Sequence, residues 1–152
     1  MKAIKIILLI LVLALAAIQL IPDKMPDNVN TNPGDIVSTG LVPDNIAVIL
    51  KTSCYDCHSN ETQFPWYSRL APASWLLARD IREGREQINF SEWGAYSKRE
   101  RIGKLESVKE EVTSGEMPLL IYTVMHRKAR LTQEQISSLS AWTELMANKI
   151  ME

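Results

Sequence analysis

The chain has 152 residues, 46% of them hydrophobic, and a formal charge of -1, which suits one globular domain with only a modest core. Nucleic-acid binding usually demands a net basic face, so nucleic acid is excluded as an expected partner. A large apolar cofactor would enlarge and stabilise so small a core.

Lys2 and Lys5 precede an apolar run from Ile6 to Ile21 broken only by Gln19, after which Pro22, Asp23 and Lys24 return the chain to water. As a helix this run spans about 24 Å against a hydrocarbon core of about 30 Å, a deficit that snorkelling lysines and Ile4 offset. Residues 1–22 therefore read as a transmembrane anchor or a signal peptide. Ala14-Leu15-Ala16 offers a small-residue cleavage site, but Ile18, Leu20 and Ile21 carry the apolar run past it, which favours an uncleaved anchor. No cysteine follows the run, which speaks against a lipoprotein. Lysines ahead of the run orient the N-terminus to the cytoplasm and the remainder outside, in the periplasm of a bacterium with an inner membrane; cleavage would release the chain there.

Residues 23–40 hold Pro26, Pro33 and Gly34 among Asn28, Asn30 and Asn32, without apolar periodicity. They read as a flexible linker holding residues 41–152 off the bilayer; a loop packed on the domain is the alternative. Pro43 and Asp44 then signal a helix start, and Ile46, Ile49, Leu50, Ser53, Cys54 and Cys57 recur at spacings of three and four.

That helix leads into Cys54-Tyr55-Asp56-Cys57-His58, which contains both cysteines of the chain and one of its 2 histidines. In a C-x-x-C-H run each thiol can add across a vinyl group of one haem while the adjacent imidazole becomes an axial ligand. The expected cofactor is one covalent haem c, with its iron on His58. A disulfide would suit an exported protein, but the histidine directly after the pair argues for haem. Zinc on Cys54, Cys57, His58 and His126, or a redox pair of the two cysteines, is a weaker reading. Zinc favours other spacings, and the redox motif expects a βαβ context.

Thr62 to Pro72 carries Phe64, Pro65, Trp66 and Tyr67 without a period, either a loop wrapping the haem or ordinary aromatic core. Ser74 can cap a helix to about Ile88, with Leu77, Ala78, Ile81, Gly84 and Ile88 on one face and Gly84 permitting close approach. Arg79, Arg82 and Arg85 could meet haem propionates, but interleaved Glu83 and Glu86 favour a solvated face. Asn89 to Tyr96 is turn-like. Ser97 and Glu100 form a capping box for a helix with Ile102, Leu105, Val108 and Val112 on its buried side and Gly115 at its end. Leu119 to Met125 reads as an ordered loop, lacking a partner strand. Thr132 and Gln135 form a second capping box, opening a helix with Ile136, Leu139, Trp142, Leu145 and Met146 as apolar positions.

The fold class is thus all-α, a small domain of about four helices around one haem. Met117 is the first candidate for the second axial ligand, because Met117-Pro118 just past a helix end holds a thioether on a stiffened loop. His126 and Met125 are the competitors, and Met146 reads as core. The stretch from Cys54 through Phe64-Pro65-Trp66-Tyr67 and Asn89-Phe90-Ser91-Glu92-Trp93 to Gly115-Glu116-Met117-Pro118 and Tyr122-Thr123 resembles a bacterial family of small anchored haem-binding domains. That family looks like a variant of single-haem cytochrome c, which implies His58 and Met117 as ligands and a C-terminal helix packed across the cysteine-bearing one. Glycine is missing between Ile46 and Ser53, where a close crossing often needs one.

The function expected from these residues is a membrane-tethered cytochrome passing single electrons to and from a redox partner protein. A haem sensor or peroxidase-like enzyme with an open distal position, where His126 could serve as acid or base, is the alternative. Lys98, Arg99 and Arg101, or Arg127, Lys128 and Arg130, could dock an acidic partner, though each also reads as a solvated charge run.

Overall fold

The computed structural model describes residues 1–21, 24–29 and 31–152. Pro22 and Asp23, read above as the return to water, and Asn30 of the expected linker lie outside the described residues. The elements are α1 (Lys2–Ile18), α2 (Asp44–Ser53), α3 (Tyr55–His58), α4 (Ala73–Gln87), α5 (Lys98–Ser114), α6 (Leu120–Met125) and α7 (Gln133–Met151), with short 3-10 turns at Val37–Thr39, Trp66–Arg69, Phe90–Ala95 and Arg127–Ala129. There is no strand among the described residues, and the fold is all-α.

Local chemistry sets the ends of α5 and α7. Ser97 accepts from the Glu100 amide while the Glu100 carboxylate accepts from the Ser97 amide, and Thr132 and Gln135 do the same for α7. Gly115 closes α5 at φ 80°, a left-handed conformation that a side chain disfavours. The two helices form the most extensive helix pairing of the chain. Leu105 and Val112 of α5 and Leu139, Trp142 and Met146 of α7 are buried in the common core. Leu145, expected among them, is 69% exposed. Six residues past Leu139 it lies about 240° around the helix, and Ala147 takes the inward position.

Three further expectations change. Ser74, read as a cap, sits buried inside the first turn of α4, which opens at Pro72. Leu119 to Met125 contains the helix α6 with Thr123 buried, too short for a 3.6-residue period to declare itself. The aromatic stretch expected to wrap the cofactor turns outward: Phe64 is exposed and Trp66 is 74% exposed.

The linker is the largest departure, because it packs as a strap. Ile36 is fully buried and Asp35 nearly so. The Asp35 carboxylate accepts from Tyr55 OH at 2.8 Å and from the Val37 amide at 2.9 Å. The Val29 amide donates to Asn60 O at 2.9 Å, and Ile36 to Phe90 O at 2.9 Å. Arg85 donates through Nε to Ser59 O and through Nη1 to Asp27 O, both at 2.8 Å. An aperiodic, Asn-rich and Pro-rich segment has backbone groups to satisfy, and here the domain satisfies them.

At the N-terminus, α1 has no buried residue. Its 17 residues are about 25 Å long. Among the described residues no helix is long and apolar enough to cross a membrane, so the expected transmembrane span is not met by length.

Candidate cofactor site

α3, α4, α5 and the turn after α5 enclose a cavity of about 490 Å³, within the roughly 300–1,000 Å³ range of small-molecule sites. Cys54, Cys57 and His58 line one wall, Gly84 and Ile88 of α4 the next, Val108 and Val112 of α5 a third, and Met117, Pro118 and Leu119 close over it. The four residues singled out in the sequence therefore face one space, although Met117 is 63 to 59 positions from the motif residues it meets.

α2 stops at Ser53, and Cys54 at φ -124° breaks the helix before α3 begins. The His58 amide still bonds to Cys54 O at 2.9 Å, so the motif closes into a compact turn. His58 Nδ1 lies 2.8 Å from Gly84 O and 3.2 Å from Ile88 O. Both partners are acceptors, which fixes the proton on Nδ1 and leaves the Nε2 lone pair for a metal. Burial lowers the His58 pKa, only partly opposed by those carbonyl bonds, and keeps the ring in the neutral state that ligation needs.

Gly84 makes this geometry possible. A Cβ there would sit 2.7 Å from Cys57 O, a backbone atom that cannot swing away. Glycine thus appears on α4, facing the motif, rather than on α2. Gly84→Ala should gain about 1 kcal/mol of helix propensity but lose about 1–3 kcal/mol to overpacking, with α4 displaced from His58. Gly103 meets nothing within 4 Å, so Gly103→Ala should stabilise by up to about 1 kcal/mol. Denaturant unfolding of the two variants checks the opposite signs.

Both cysteines are free thiols. Burial, reinforced by the Cys57 charge, pushes Cys54 up to about 12, and burial together with Asp56 and Asp80 pushes Cys57 up to about 12. Among the described residues no three His, Cys, Asp or Glu side chains are grouped to hold a metal ion. The zinc reading fails at His126, which belongs elsewhere: its Nε2 and the Tyr67 hydroxyl are hydrogen-bonded at 2.8 Å, and its ring stacks on Tyr122 at 4.3 Å. His126 and Met125 line a separate pocket with Arg127 and Lys128. Met125 is 56% exposed and Met146 is core.

Sequence reasoning missed Asp56 and Tyr122. Asp56 fills a variable position of the motif, yet its carboxylate accepts from Tyr122 OH at 2.5 Å and from the Gln63 amide at 2.8 Å. The Tyr122 bond ties the cysteine turn to α6, and burial followed by the Asp56 bond raises the Tyr122 pKa. Phe90, read as part of a turn, lines the cavity, stacks on Tyr55 at 5.6 Å and meets the His58 ring edge-on at 6.3 Å. No spacing rule announces either contact, since both join residues distant in sequence. Of the three arginines, Arg79 lines the cavity and pairs with Asp80 and Glu83, whereas Arg85 holds the strap.

The family model described as a haem-binding domain matches residues 13–145. It covers most of the chain, from within α1 to within α7, and the chain belongs to this family. No curated protein and no solved structure matches it.

Proposed function

We propose that this member of the haem-binding domain family is a membrane-tethered c-type cytochrome that carries one covalent haem and transfers single electrons. The observation that carries the reading is the convergence of Cys54, Cys57, His58 and Met117 on one largely apolar cavity. Bound there, haem supplies a one-electron iron couple whose potential depends on axial ligands and burial. Cys54 and Cys57 would hold it as thioethers. His58 presents Nε2, oriented from behind by Gly84 O and Ile88 O. Met117 would hold it as a thioether ligand, which would favour the ferrous state and raise the potential. Val108, Val112 and Phe90 exclude water from the cavity walls.

The membrane part of the reading rests on α1. Every large side chain from Ile6 to Leu13 is exposed, and so continuous an apolar surface is not stable in water. Inserted with Lys2 and Lys5 snorkelling at the cytoplasmic side, it falls about 5 Å short of the hydrocarbon thickness, and such mismatch costs only fractions of a kcal/mol per Å. The domain then stands on the periplasmic side, where an electron donor and acceptor reach it.

Carbon monoxide separates a carrier from a sensor or peroxidase-like enzyme. The reduced native protein should bind it slowly and weakly, because His58 and Met117 would both hold the iron. Rapid, tight binding would instead establish the open distal site.

A further inference from the structure

We infer that the domain does not swing on a tether but lies on the bilayer surface, with the edge formed by Phe64, Trp66, Leu70 and Leu76 in the lipid headgroup region. The inference rests on the reading of α1 as a membrane anchor.

The root of α1 is clamped to that edge. Gln19 Nε2 donates to Ala71 O at 2.9 Å, and the Ala71 amide donates to Gln19 Oε1 at 3.0 Å, so the side-chain amide pairs with the loop backbone in both directions. Beyond the anchor the chain runs along α4, where Arg82 Nη1 donates to Lys24 O at 3.0 Å and Arg85 Nη1 to Asp27 O at 2.8 Å. Contacts to the domain thus occur at Gln19, at the end of the anchor, and again at Lys24 and Asp27. Whatever touches the outer end of a bilayer helix lies at interfacial depth, and the residue touching Gln19 is Ala71.

The side chains around Ala71 suit that depth. Leu70 and Leu76 flank it and are exposed, as are Phe64 and Trp66 in the preceding turn, with Leu20 and Ile21 on the anchor side. Trp66, 74% exposed and meeting Tyr67 edge-on at 5.8 Å, is the residue type enriched at membrane interfaces. Arg69 is exposed in the same turn and would meet anionic headgroups. Exposed apolar side chains therefore stand on both sides of the Gln19–Ala71 contact, on α1 and on the domain, and the partner that covers both is lipid.

The test uses the full haem-loaded chain in oriented bilayers of phosphatidylcholine and phosphatidylglycerol, read by linear dichroism of the haem absorption. A docked domain holds the haem plane at one tilt and gives a finite signal, which Trp66→Ser with Leu70→Ser should at least halve. A second readout does not need the haem: brominated lipid should quench tryptophan fluorescence in the wild type, and Trp66→Phe should lose most of that quenching. A chain that floats with vesicles but shows neither dichroism nor Trp66-dependent quenching overturns docking while leaving the anchor intact. A chain that stays in the aqueous phase overturns the anchor and the docking together. Trp66 shielding that follows protein concentration rather than lipid assigns the edge to a second copy and overturns the proposal.

Discussion

Alanine at both Cys54 and Cys57 should remove haem staining from a denaturing gel completely, while either single variant keeps a weakened band. Denaturation releases every non-covalent ligand, so only a thioether carries haem through the gel, and on the proposed reading each cysteine would supply one. The two thiols line the same cavity wall as His58. In the double variant His58 keeps its carbonyl partners on α4, and a non-covalent haem could still be held in the native state. What disappears is permanence. Binding at a thousandfold excess over Kd stabilises a fold by about 4 kcal/mol, which for a domain of this size corresponds to roughly 8–16 °C in Tm. The double variant should therefore lose up to that much thermal stability when free haem is removed by dialysis, whereas the wild type should lose none. A stain that persists in the double variant would remove the covalent assignment.

Legibility in the sequence followed the range of the interaction. Helix ends written within four residues were readable, so the capping boxes at Ser97 and Thr132 and the glycine stop at Gly115 are present with their hydrogen bonds. The inward stripe of α2 was readable for the same reason, being periodic and local. Gly84 was legible as a point of close approach, but its partner, the Cys57 carbonyl, was not. The strap was misread because its order comes from elsewhere: Arg85, Asn60 and Tyr55 satisfy its backbone and its buried Asp35, and nothing inside residues 23–40 records those partners. Arg85 illustrates the same limit from the other side. Its pattern on α4 reads as a solvated charge face, yet its guanidinium makes hydrogen bonds to residues 27, 28, 59 and 62. A planar fork of five donors suits such bridging, but sequence alone cannot name the acceptors.

If Met117 holds the iron as proposed, Met117→Ala should open a coordination position on it. Three donors compete for it on sequence grounds, and geometry separates them. Met117 lines the cavity that His58 lines, on a turn pinned by its amide to Glu111 O at 3.1 Å and followed by Pro118. His126 has its Nε2 engaged with Tyr67 and its ring against Tyr122, so reaching the iron would break both contacts and leave a partly buried tyrosine hydroxyl without its partner. Met125 points into solvent beside the other pocket. If the thioether is displaced only about 1% of the time in the reduced protein, apparent carbon monoxide affinity is held about 100-fold below that of an open site. Removing the sulfur should recover that factor, equivalent to about 2.7 kcal/mol, abolish the sulfur-to-iron charge-transfer band and lower the midpoint potential. His126→Ala should leave the band, the potential and the carbon monoxide response as they are in the wild type. Should the two variants exchange behaviours, His126 becomes the ligand, and the Tyr67 contact must then be released in the haem-bound state.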